Sequence, residues 1–355
     1  MRKTLFLTAA GISGLLALTA ATGAMAEINL PDDGPQIELR DLVARVVVTP
    51  ENRSDIDIKV RYGKAKVPVL MVSHRGNVTI LNGHLDAPQH SFGFSFNIVN
   101  ASTGGAPGSG RVFIPSLGNV SVDDLPLVFI RVPMNAAVKD SAYTFGHIGP
   151  SKSLEFVMNG GGDWLVDPVG GPLNVIASGS GDIRLSTAGD SIIDNMGSGD
   201  ISIDGARALK VSLSGSGDFI ANRSADTVLQ NQGSGDVTLS HVNNLTVELN
   251  GSGDLNLGSI NGGFSLTNNG SSDVRAAQVQ GPVTLDLAGS GDVGIDGGQS
   301  PSFVLTGTGS GDVDFGGTTG TVSIDSNGSG DISIAKATGP VTSKVNGSGE
   351  THIGH

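Results

Sequence analysis

Ten acidic residues each close a near-copy of one tetrapeptide, Gly-Ser-Gly-Asp: Asp182, Asp200, Asp218, Asp236, Asp254, Asp273, Asp292, Asp312, Asp331 and Glu350. Successive gaps are 18, 18, 18, 18, 19, 19, 20, 19 and 19 residues. Carboxylates held in a row are oxygen ligands for a hard cation such as calcium. The nine aspartates are therefore the candidate metal row, and calcium is the cofactor to test. The spacing inside each copy argues the other way. Calcium-binding β-roll repeats have the form GGxGxDxUx, whereas here the Asp directly follows the second Gly and the period is about twice as long. The competing reading is a solvated turn ladder in which Ser and Asp side chains bond backbone amides. Carboxylates stacked about 5 Å apart repel unless water, amides or cations screen them.

Other chemistry is thinly represented. The histidines are scattered, with His74, His84, His90 and His147 upstream and His241, His352 and His355 among the repeats; they read as surface residues. No GxSxG, HExxH or phosphate loop occurs, because the Gly-rich corners precede strands rather than helices. A polysaccharide-processing site would need convergent carboxylates beside aromatic sugar platforms. After Gly171 the aromatics are Phe219, Phe264, Phe303 and Phe315, all in an inward phase, and Trp164, Tyr62 and Tyr143 are isolated rings that read as packing. Asn195, Asn231 and Asn268 alternate by repeat with Leu213, Leu249 and Leu287. Inward Asn at a corner is a backbone-bonding residue, and no chemistry is assigned to it. No catalytic residue emerges, and a non-enzyme is expected.

The elements that must hold the row are strands. One and three positions after each acid the residue is apolar, as in Ile183 and Leu185, Ile201 and Ile203, or Leu255 and Leu257, with polar or small residues between. The same alternation runs backwards from each corner, as in Leu209, Val211 and Leu213, or Val283, Leu285 and Leu287. A period of two is the mark of a strand with one buried face. Asp204–Ala208 and Ser240–Asn244 read as return turns. A unit this short buries its apolar face only by stacking on its neighbours. The expected fold is all-β: a single-stranded parallel β-helix of ten to eleven coils of 18–20 residues, the eleventh opened by Asn159–Asp163. Residues 27–134 read as a β-rich lead-in or cap, with strand-like runs at Ala44–Val48, Ile56–Val60, Val67–Val72, Val112–Ile114 and Leu127–Val132 and a long polar loop at Asn100–Gly110. The β-helix proper then occupies 135–355.

Residues 1–26 carry Arg2 and Lys3, an apolar run from Leu5 to Ala21 and Ala24-Met25-Ala26, the pattern of a secretory signal peptide. An exported product, periplasmic or secreted to the cell surface, follows. No other long apolar run is present, so no transmembrane segment is expected. The chain has no cysteine, so packing and backbone bonding must supply its stability. Its formal charge of −13 becomes −15 without Arg2 and Lys3. From Gly171 onward seven Lys or Arg face nineteen Asp or Glu. Nucleic acid needs a basic stripe and is excluded as a partner.

Val175–Leu185 (Val-Ile-Ala-Ser-Gly-Ser-Gly-Asp-Ile-Arg-Leu) and its later copies, with Gly146–Pro150 and Gly162–Trp164 before them, resemble the GIN-domain family of secreted bacterial proteins, labelled auto-transporter adhesin head domains. The resemblance covers about Glu27 to the end. It implies a right-handed parallel β-helix outside the cytoplasm and brings no catalytic residues. No membrane-barrel strands follow the repeats, so self-translocation is not expected. The expected function is a non-enzymatic binding or scaffold module of the cell envelope, adhesive in character, with an envelope glycan or protein as ligand. The alternatives are a polysaccharide-processing β-helix enzyme and a calcium-conditioned self-assembling rod. The last coil, Glu350-Thr351-His352-Ile353, shows no evident cap, and an open β edge can pair end to end with another copy. An ice- or mineral-binding face would need a regular Thr ladder, and Thr238, Thr246, Thr267 and Thr284 read as too irregular for one.

Overall fold

A computed structural model describes residues 36–85, 110–114 and 117–355 in full, and the backbone alone at 5–8, 16–17 and 25–30. The signal-peptide reading, His90 and nearly all of the Asn100–Gly110 loop lie outside the fully described residues. The fold is all-β, a parallel β-solenoid of about twelve turns. The chain divides into two compact units, Met1–Ala188 and Gly189–His355.

In unit 1 the central element is the long strand Gln36–Glu51. Its first half pairs in parallel with Val78–Asn82 and its second half with Leu127–Pro133. Its other edge pairs in parallel with Asn135–Ile148. The chain therefore does not stack its coils in sequence order here, because a strand early in the sequence is sandwiched between two later ones. Beyond Asn135–Ile148 the order becomes sequential: Ser153–Met158 and Trp164–Val166 come next, then Leu173–Ala177 and the start of Ile183–Asn195. The lead-in also carries antiparallel pairs, Ile56–Arg61 against Leu127–Pro133 and Met71–Arg75 against Val78–Asn82. The run at Val67–Leu70 is not strand; pairing starts at Met71. The hairpin Arg111–Ile114 with Gly118–Ser121 forms a sheet of its own, and its Val112, Ile114 and Val120 cover the outward side chains Val43 and Phe145 in a second apolar cluster.

Unit 2 is regular. Ile201–Leu213, Phe219–Asn231 and Val237–Leu249 are continuous thirteen-residue strands in parallel register. The segment Asp204–Ala208, which reads as a return turn, is a bend within one strand, since Ala206 and Ala208 still pair with Ser224 and Asp226. Holding the ladder through the bend keeps its amides bonded to the neighbouring coil, which a free turn would leave unpaired. The lengthening of the repeat is absorbed in this bend. The step from Val237 to Leu245 is eight residues, but the step from Leu255 to Phe264, which pairs with Leu245, is nine, where Asn261–Gly263 enters. The corner keeps its length, because ten residues lie from Leu245 to Leu255, from Phe264 to Val274 and from Phe303 to Val313. Every inward position named in the repeats is buried, including Phe219, Phe264, Phe303 and Phe315, and Phe303 packs on Phe315 with ring centroids 5.4 Å apart.

Candidate functional site

The aspartate row of unit 2 is a hydrogen-bonded structure. The amide of Asp218 donates to Oδ1 of Asp200, that of Asp236 to Asp218, and so on through Asp254, Asp273, Asp292, Asp312, Asp331 and Glu350, at 2.7–3.0 Å throughout. The carbonyl of each acid meanwhile accepts from the first strand residue of the preceding coil: Ile201 donates to Asp218, Phe219 to Asp236 and Val237 to Asp254. The Ser of the tetrapeptide continues the ladder, as Ser234 donates to the Gly215 carbonyl and Ser252 to that of Gly233. At the acid's own position the carboxylate supplies the acceptor that would otherwise come from a main-chain carbonyl. This answers how the carboxylates tolerate stacking: from Asp200 to Asp331 each accepts an amide N–H, and charge-assisted bonds of this kind are the stronger ones. Asp182 lies in unit 1, where its carbonyl accepts from Trp164 N–H at 2.8 Å. Among the described residues no group of three or more His, Cys, Asp or Glu is arranged to hold a metal ion.

The glycines of the corner are there for space. A Cβ at Gly289 would overlap the carbonyl oxygen of Gly270, and one at Gly309 that of Gly289. The buried Asn residues close the same corner from inside. Asn231 donates to the Gly235 carbonyl at 3.0 Å and accepts from Gly233 N–H at 2.9 Å. Asn195 and Asn268 repeat the pattern, so the alternating Asn positions are structural.

Two outward columns flank the corner on the adjoining sheet face. Strand register places Thr246, Ser265, Thr284, Val304, Ser323 and Thr342 in one column. Beside it run Glu248, Thr267, Asp286, Thr306, Asp325 and Lys344. Thr246, Thr267 and Thr284, scattered in sequence, thus share one face, while Thr238 pairs with Ile220 and Asn256 on another. Glu248 is held below its ordinary pKa by hydrogen bonds from Asn250 and Gln230. A shallow open groove follows the corner itself, lined by Ser271, Ser290, Ser310, Ser329 and Ser348.

Among the described residues of unit 1, the ionisable groups that the spacing of residues did not single out include a His–Asp pair and a buried acid. His147 Nε2 lies 3.1 Å from Asp167 Oδ2 in a half-exposed pair. The other is internal. Asp140 is fully buried, and its Oδ2 accepts from Thr144 Oγ1 at 2.6 Å and from Trp164 Nε1 at 3.0 Å. The signal for it was its phase: Ala136, Val138, Ala142, Thr144 and Ile148 alternate inward on the same strand, and Asp140 falls among them.

The architecture defines the protein as an all-β parallel solenoid whose repeated acids are tied into its backbone. No family model matches the chain, and no curated protein does. Among solved structures, a Parabacteroides distasonis protein described as a "putative lipid binding protein" is similar over 99% of both chains, at 12% identity and a TM-score of 0.20.

Proposed function

We propose that the protein is a non-catalytic, exported binding module of the cell envelope, and that it presents the paired polar columns of unit 2 to an envelope glycan or a protein on the cell surface. The observation that carries this reading is the register that gathers Thr246, Ser265 and Thr284 beside Glu248, Thr267 and Asp286. Such a face repeats weak contacts at the strand spacing of about 4.8 Å, and repetition converts weak contacts into avidity. The tie of the acidic row to backbone amides supports a structural rather than a catalytic use of those carboxylates. The resemblance of Val175–Leu185 to the GIN-domain repeats supports placing the module outside the cytoplasm.

The test is co-sedimentation of the mature chain with purified envelope polysaccharides and envelope proteins, with chromatography of any glycan released. Saturable binding without cleavage products is expected. The double substitution Ser265→Arg and Thr284→Arg weakens it at least tenfold and leaves the melting temperature within a few degrees. Cleavage products, or binding indifferent to those substitutions, would overturn the reading.

A further inference from the structure

We propose that Asp140, Thr144 and Trp164 form a proton-held latch inside unit 1: with the carboxyl neutral the coil stays closed around Trp164, and loss of the proton to solvent favours a locally opened coil in which water reaches the carboxylate. The inference rests on the interior of unit 1 and is independent of the polar face of unit 2.

The geometry is that of a carboxyl unsuited to charge. Both donors converge on Oδ2, and Trp164 Nε1 is also 3.1 Å from Thr144 Oγ1, so the two donors share each other as well as the acid. Oδ1 is buried with no hydrogen-bond partner. An isolated carboxylate in such a place is costly, and the group holds its proton instead. Burial raises the Asp140 pKa to about 7, against the smaller opposing effects of Thr144, Trp164 and the Ala142 amide.

Among the described residues no ionic group offsets this. Leu39 of Gln36–Glu51 and Met158 of Ser153–Met158 lie beside Asp140 in the ladder. Of the charged residues on these strands, Glu38, Arg40, Lys139 and Glu155 belong to the opposite phase of the pleat, where Glu38 is tied to Arg40 and Lys139, and Asp41, Arg45 and Glu51 of Gln36–Glu51 are not among the groups that act on Asp140. Tyr143 and His147 point outward with Phe145, and Asp163, which precedes Trp164, is itself raised by burial and by the charge of Asp182. Phe156 covers the indole, with ring centroids 5.0 Å apart. The carboxyl is therefore enclosed by apolar groups, an indole, one hydroxyl and the Ala142 amide.

The sign of the effect follows from which state binds the proton. Between the ordinary Asp value near 4 and about 7, the closed coil keeps the proton and an opened coil releases it, so closure weakens as pH rises. The opening equilibrium grows about tenfold per pH unit across that window and levels off above it. Trp164 is the sole tryptophan of the chain, so its emission reports on the carboxyl that bonds it.

The experiment follows Trp164 fluorescence and amide exchange of the full chain from pH 5 to pH 9. Peptides from Asn135–Met158 are compared with peptides from unit 2 as internal reference. An emission transition centred near pH 7 is expected, together with exchange in Asn135–Met158, corrected for intrinsic rates, that rises about a hundredfold from pH 5 to pH 7. Asp140→Asn abolishes both. Thr144→Val, which removes one donor to Oδ2 and keeps a residue of similar shape, moves the midpoint to higher pH. Flat wild-type emission and exchange would overturn the latch, as would a transition that survives Asp140→Asn or a midpoint that Thr144→Val leaves unmoved.

Discussion

At the scale of single residues, aspartate has two opposite fates in this chain. In the corner of unit 2 it is exposed, and its oxygen does the work of a backbone carbonyl; at Asp140, inside unit 1, it is buried and burial raises its pKa. The corner role is that of an acceptor, and two variants separate the oxygen from its charge. Asp254→Ala removes the acceptor for the Asp273 amide, and a stranded amide costs about 1–3 kcal/mol. Asp254→Asn keeps an oxygen in place and relieves repulsion from Asp236 and Asp273, so its effect stays within about 0.5 kcal/mol. Urea unfolding of the two variants separates them. Equal losses would mean that the charge, and not the oxygen, holds the ladder.

At the scale of the elements, the corner is rigid and the bend is adjustable. The corner keeps ten residues per crossing because its glycines sit against the preceding coil, whereas the bend gains residues freely. Gly289→Ala drives a Cβ into the Gly270 carbonyl and should cost about 1–3 kcal/mol as overpacking. Gly307 is different. It occupies the inward position that Leu287 and Asn268 fill in earlier coils, and a small void of about 20 Å³ remains beside it. A Cβ there meets only the Leu287 carbonyl at 3.7 Å and Ser326 Oγ at 3.8 Å. Gly307→Ala should therefore stabilise by about 0.4–1 kcal/mol, and thermal melts of both variants check the contrast.

The same scale shows what could be read in the residues alone. The alternation around each Gly-Ser-Gly-Asp states both strands and their inward faces, because a period of two survives without any knowledge of neighbours. Non-local placement was not legible. Nothing in Gln36–Glu51 says that it lies between Leu127–Pro133 and Asn135–Ile148, since a strand buried among parallel neighbours looks alike whichever strands those are. The outward Thr column was hidden for a related reason: Ser265 and Val304 interrupt it and Thr267 belongs to the column beside it, so the threonines form no ladder until the strands are paired. Asp140 was legible only as one polar residue in an apolar phase, without Trp164, which lies 24 positions further on.

For the whole molecule, charge sets how the two units answer to their surroundings. With a formal charge of −13 and acids concentrated among the repeats, the row in unit 2 sums repulsion over several coils at low salt. The Debye length of about 30 Å at 0.01 M spans roughly six strand spacings, whereas about 3 Å at 1 M is less than one. The amide bonds of the ladder persist under both conditions, so added salt removes the repulsion and leaves the bonding. The unfolding midpoint of unit 2 should rise by several degrees from 10 mM to 500 mM sodium chloride, while the pH response of Asn135–Met158 in unit 1 stays in place because its carboxyl is buried away from solvent ions. Calcium at matched ionic strength then decides between screening and binding. If the amides already satisfy the row, calcium and sodium give the same rise. A further increase that saturates at millimolar calcium, and disappears with EDTA, would assign the aspartates a ligand in addition to the amides they accept.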